Sequence, residues 1–143
     1  MSYSPLLAPV VVLVAWTLVM LVWLAIKRAP FVKERNAITP GARGENMPPG
    51  PHNWPAHNYT HLLEQPTLFY AIVFVLVLMN FDAPINVYLA WAYVGLRIVH
   101  SFIQSTVNIV RWRFLVFSLS TACLAGLTVH AGLRILHDCG LIG

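Results

Sequence analysis

Four stretches of apolar residues divide this chain. Leu6 to Ile26 contains no charged residue, and a helix needs about 20 residues to cross the hydrocarbon core of a bilayer. Nothing basic precedes this run, and it is long for the core of a cleaved signal, so it reads as a permanent first helix. A second apolar run is centred on TLFYAIVFVLVLM, a third follows Pro84, and a fourth follows Phe114. The expected helices span about 6–27, 59–80, 84–110 and 114–136. Phe81, Asp82 and Ala83 make one short turn, and Arg111, Trp112 and Arg113 make another. Turns this short force antiparallel neighbours. The pattern therefore predicts a single all-α domain over 1–143: an integral membrane four-helix bundle with antiparallel up-down topology.

One connection is long. Residues 29–58 hold Pro30, Pro40, Gly41, Gly44, Pro48, Pro49, Gly50, Pro51 and Pro55, a density that breaks helices and strands alike. The segment reads as a solvated linker or as a cap over a site at the membrane surface. No internal repeat is visible, which gives a transporter little support.

Composition agrees with the apolar pattern. Of 143 residues, 58% are hydrophobic and only 10% are charged, and mean hydropathy is +0.68. Soluble domains are about one quarter charged. A net charge of +4 suggests nucleic acid at first, but the cations gather at the ends of apolar runs, as in membrane proteins. The partner they imply is the bilayer, not nucleic acid. The side of the long loop carries Lys27, Arg28, Lys33, Arg35, Arg43, Arg111 and Arg113, whereas the opposite side carries Arg134. The positive-inside rule then places the loop in the cytoplasm and both termini outside. Cys123 and Cys139 belong to no CxxC or Cys/His cluster, so neither a metal site nor a disulfide framework is expected.

Polar residues inside the spans carry the candidate chemistry. Arg97, His100, Gln104, Asn108 and Arg111 follow one another at steps of three, four, four and three. At about 100° per residue they share a stripe roughly 80° wide. A charge at mid-bilayer is costly, so the stripe must face protein or a water-filled cavity. His57, Thr60, His61 and Glu64 form an answering face on helix two. Glu64 is the only acid inside a span, and an ion pair with Arg97 is the expected consequence. A single structural pair leaves His61, His100, Gln104, Asn108 and Arg113 unexplained. A cation-rich cavity open to the cytoplasm suits an anionic polar ligand. On helix four, Ser118, Ala122 and Gly126 suggest close packing within or between protomers. His130, Arg134 and His137 read as interfacial, and the tryptophans as packing or interfacial residues.

Two stretches resemble the MAPEG family, the membrane-associated proteins in eicosanoid and glutathione metabolism. HLLEQPTLFYA, His61 to Ala71, is similar to the helix-two motif of the family, and LRIVHSFIQSTVNIVRWRF, Leu96 to Phe114, resembles its helix-three motif. The form of the first is most like bacterial members, which implies a bacterial inner membrane. The resemblance implies a homotrimer with glutathione between protomers near the cytoplasmic face. It places His61, Glu64, Arg97, His100 and Gln104 at the cofactor and gives Arg113 the catalytic role of stabilising the thiolate. A nearby cation lowers a thiol's pKa and frees the nucleophile. The sequence departs from the family pattern at His57 and Thr60, which replace arginines, at His61, which replaces Asn, and at Phe117, which replaces Tyr. The expected function is a glutathione-dependent transferase or peroxidase acting on lipophilic electrophiles that enter from the bilayer. The alternative is a non-catalytic membrane ligand-binding protein or assembly subunit of the same fold.

Overall fold

The computed structural model describes residues 3–35 and 50–141, with side chains from 3–30 and 50–141. Four α-helices follow in chain order: α1 Leu7–Arg35, α2 Trp54–Leu78, α3 Pro84–Thr106 and α4 Val110–Asp138. A 3-10 turn, Pro51–Asn53, precedes α2. The all-α fold holds among the described residues, and three helices, α1, α2 and α4, are long and apolar enough to cross a membrane. At 23 residues α3 would span roughly 35 Å; it is set apart by its polar stripe rather than by length.

Proline sets the helix starts. Pro55 stands in the first turn of α2 and Pro84 in the first turn of α3, where the missing N–H would lack a partner anyway. At its other end α2 closes with Asn80 in the left-handed region, φ 51°. Asn80 N–H donates to the Val77 carbonyl and Phe81 N–H to the Leu76 carbonyl, the paired bonds of a Schellman motif. Gly140, φ 69°, ends α4 with the same pair of bonds to His137 and Leu136.

The helix ends differ from the sequence expectation in two places. Helix α1 continues through Pro30 to Arg35 instead of stopping near residue 27, and α2 begins at Trp54. The expected loop of 29–58 is thus shorter at both ends; Arg43 and the other residues of 36–49 lie outside the described residues. The second difference is at the α3–α4 junction. The break falls at 107–109, with Asn108 at φ 51°, so Arg111, Trp112 and Arg113 form the first turn of α4 rather than a connection.

The core repeats every seven residues, the interval at which one helix face returns toward a slowly supercoiling neighbour. Leu6, Leu13 and Met20 line the α1 seam, and Leu62, Phe69 and Leu76 line that of α2; all are buried. The Phe69 and Tyr93 rings stack at 4.4 Å between α2 and α3. The stripe on α4 includes Leu124 and Ala131. On α3 the seven-residue positions are Ala90, Arg97 and Gln104, all buried. Polar side chains therefore occupy sites that apolar ones fill on the other helices.

Helix α1 packs on α2 and α3, and α4 packs on α3 and α2. Gly126 sits against α3, where an added Cβ would come within 3.2 Å of Leu89 Cδ1. At Gly126, close packing is thus within the chain. The outer faces are apolar and exposed, including Val11, Leu18 and Val22 on α1 and Phe114, Leu119 and Val129 on α4. Hydrocarbon or another protein surface is the environment that suits them.

Candidate functional site

The end of the bundle that holds the α1 and α3 C-termini and the α2 and α4 N-termini gathers the unusual polar residues. Arg28 Nη2 donates to Asn53 Oδ1 at 3.4 Å, tying α1 to the turn before α2. Between α2, α3 and the first turns of α4 lies a cavity of about 200 Å³ lined by His61, His100, Val110, Arg113, Phe114 and Phe117. Among the described residues its lining holds two imidazoles, a guanidinium and three apolar side chains, and no carboxylate. The His61 and His100 rings meet edge to face at 6.3 Å, and His100 lies 6.1 Å from the Phe117 ring.

Arg97 stands behind Phe117. Only 1% of it is exposed. Its Cζ is 5.0 Å from the Phe117 ring centre and 5.3 Å from that of Tyr93. Among the described residues none of its three guanidinium nitrogens makes a hydrogen bond of ordinary length and angle, although the Tyr93 side chain lies against it. Aromatic faces attract a cation, but they do not replace the acceptors that a buried guanidinium loses on leaving water.

The ion pair expected between Glu64 and Arg97 is absent. Glu64 faces outward, with 64% of its side chain exposed, and its carboxylate lies 3.3 Å from His61 Nδ1. The physical reason is angular. Leu62, Pro66 and Phe69 are buried, which turns the α2 face that carries Glu64 away from the α3 seam. His57 and Thr60 are exposed on the same face. Glu64 reaches the site only through His61, whose ring it holds by one nitrogen.

Gln104 is 1% exposed, and its Oε1 has no partner. Asn58, fully buried on α2, has no partner among the described residues at either Oδ1 or Nδ2. The pairings of Phe69 with Tyr93 and of His61 with His100 fix the antiparallel register, and by that register Asn58 is level with Gln104. Buried amides nearly always find partners, so this level of the bundle has room in its bonding for water or a ligand. Sequence reasoning missed Asn58. Its signal was present: an Asn four residues before Leu62 on the buried seam of α2.

Arg113 is half-buried, with Nη1 donating to Asn108 Oδ1 at 2.6 Å and Nε without an acceptor. Of the residues expected at a site, the fold brings His61, His100 and Arg113 to one cavity. It places Arg97 directly behind, buries Gln104 nearby on the α3 seam, and leaves Glu64 outside. Among the described residues no cluster of His, Cys, Asp and Glu could hold a metal ion.

The opposite end is built differently. Asn86 is fully buried, donates from Nδ2 to the Phe81 carbonyl at 3.0 Å, and meets His130 Nδ1 through Oδ1 at 2.8 Å. Arg134 bonds Asp138 at 3.0 Å and lies over the Phe81 ring. At this end Asn86 pairs with His130, and Arg134 with Asp138.

No curated protein and no solved structure matches the chain. A family model does match, over residues 6–133, which include all of the cavity, the buried seam and most of α4. The chain belongs to the MAPEG family, a membrane protein family of glutathione-related enzymes and ligand-binding proteins.

Proposed function

We propose that this chain is a glutathione-dependent membrane enzyme, a transferase or peroxidase acting on lipophilic electrophiles. The observation that carries the reading is the cavity itself. His61, His100 and Arg113 converge on about 200 Å³ lined, among the described residues, by no carboxylate, with Arg97 behind it and without an acidic partner among those residues. That arrangement favours an anion. Arg113, which lines the cavity, would stabilise the thiolate; Arg97, His100, His61 and Gln104 would position the peptide. Glu64 would act by orienting His61. Val110 and Phe114 line the cavity and are exposed, so an apolar co-substrate would have a route to it from a surrounding membrane.

Ligand pockets usually measure roughly 300–1,000 Å³. One chain therefore supplies room for only part of a tripeptide, which fits a site completed by neighbouring copies in a homotrimer. Arg28, Arg111 and Arg113 share this end of the bundle, and by the positive-inside rule it faces the cytoplasm with both termini outside, in a bacterial inner membrane. One observation favours the alternative of a non-catalytic ligand-binding protein: Phe117 presents a ring without a hydroxyl to the cavity, so a bound thiol has a single cation to activate it.

The test is glutathione binding to purified protein. A ligand that prefers the folded state raises its stability by about 2.7 kcal/mol at a hundredfold excess over Kd. Bound glutathione should also show thiolate absorbance at neutral pH. Arg113→Leu should lose most of that absorbance and keep much of the thermal shift. Absence of any thermal shift with millimolar-range glutathione would remove the enzyme reading.

A further inference from the structure

The two short connections of the bundle use the same backbone device for different ends. Asn80, between α2 and α3, and Asn108, between α3 and α4, both have φ 51°, a left-handed conformation that Asn tolerates better than most residues. Asn80 is exposed, and its side chain makes no hydrogen bond among the described residues. Asn108 is half-buried. Its backbone N–H donates to the Ile103 carbonyl at 2.7 Å across the end of α3, and its side-chain Oδ1 accepts from Arg113 Nη1 at 2.6 Å. The left-handed turn fixes the amide, and the amide fixes the guanidinium.

We propose that Asn108 is a positioning residue that aims Arg113 into the cavity. The proposal rests on the reading of Arg113 as the cation that stabilises a bound thiolate. A free arginine side chain samples many rotamers, and a cation that wanders spends little time at the sulfur. Asn108 removes that freedom by holding Nη1 and keeps the guanidinium of Arg113 at the wall of the cavity. A neutral amide matters here. It accepts the hydrogen bond without cancelling the positive charge, so the full field of Arg113 remains for the thiolate. A carboxylate at the same position could make the same bond but would neutralise the cation it holds.

That contrast sets the experiment. Asn108→Gly keeps the left-handed turn and removes the tether. Asn108→Asp keeps turn and tether and adds an opposing charge. In purified protein with bound glutathione, the apparent thiol pKa should be lowest in the wild type and higher in Asn108→Gly. It should be highest in Asn108→Asp, where a rise of about one unit means a tenfold weaker preference for thiolate. Thermal unfolding of the ligand-free glycine variant should match the wild type, which separates positioning from folding. Guanidinium NMR of ligand-free protein, with the Arg113 signal assigned by its loss in Arg113→Leu, supplies a readout that needs no glutathione. The signal should be ordered in the wild type and in Asn108→Asp, and motionally averaged in Asn108→Gly. Equal order in wild type and Asn108→Gly overturns the proposal whatever glutathione does. If Arg113→Leu itself leaves the thiol pKa unchanged, the thiolate reading fails, and Asn108 has nothing to aim at. If Arg113→Leu raises it while both Asn108 variants match the wild type, the thiolate reading stands and the positioning role falls.

Discussion

The two ends of this bundle treat buried polar groups in opposite ways. At the end with the α2–α3 turn, Asn86 is fully buried, and its amide is taken up by the Phe81 carbonyl and His130. At the other end Arg97, Gln104 and Asn58 are just as buried, yet each has polar atoms without a hydrogen-bond partner among the described residues. A satisfied buried network specifies one packing. An unsatisfied one is a cost to the folded state, and here it sits beside a cavity with three cationic or imidazole side chains. If the second end serves binding, as proposed, the two ends should respond to mutation with opposite signs.

The largest effect is expected at the satisfied end. Asn86→Leu strands the Phe81 carbonyl and frees His130. Folded-state stability in detergent should fall by about 2–4 kcal/mol, and glutathione should still raise the melting temperature by the wild-type amount. Arg97→Leu is the reverse case. It removes a buried cation that lies against Tyr93 and Phe117 and has no acidic partner among the described residues, so stability should match the wild type or exceed it by up to about 2 kcal/mol. The glutathione-induced shift should disappear. A loss of stability as large as that of Asn86→Leu would erase the distinction between the two ends.

A smaller effect comes from Glu64, which belongs to neither buried set. Because the carboxylate is exposed, Glu64→Leu should change stability by less than about 1 kcal/mol. In a double-mutant cycle with Arg97→Leu the effects should add to within about 0.5 kcal/mol; a larger coupling would restore the ion pair that the geometry lacks. The smallest effect is expected at Asn80. Asn80→Gly should alter stability by no more than about 0.5 kcal/mol and leave ligand binding untouched. Asn108→Gly, the same change at the matching turn, should move the thiol pKa.

The sequence alone determined most of the architecture. Runs of apolar residues as long as Leu6 to Ile26 have few stable arrangements other than spanning helices, because backbone groups in hydrocarbon must bond within their own segment. The tightness of the turns then fixed the antiparallel order. The polar stripe of Arg97, His100 and Gln104 was also legible, since a helical period places spaced residues on one face whatever surrounds them. Periodicity does not say which way a face turns. Glu64 lies one turn from His61, and only the burial of Leu62, Pro66 and Phe69 decided that His61 reaches the cavity while Glu64 looks outward. The pair with Arg97 was inferred from opposite charge at similar depth, and depth is not direction. Asn108 was read as one more member of the stripe, on a helix expected to run to 110. The tertiary structure ends α3 before it, turns the backbone left-handed, and brings its amide to Arg113. A single residue's φ sets that outcome, and the hydrophobic pattern along the chain carries no record of it.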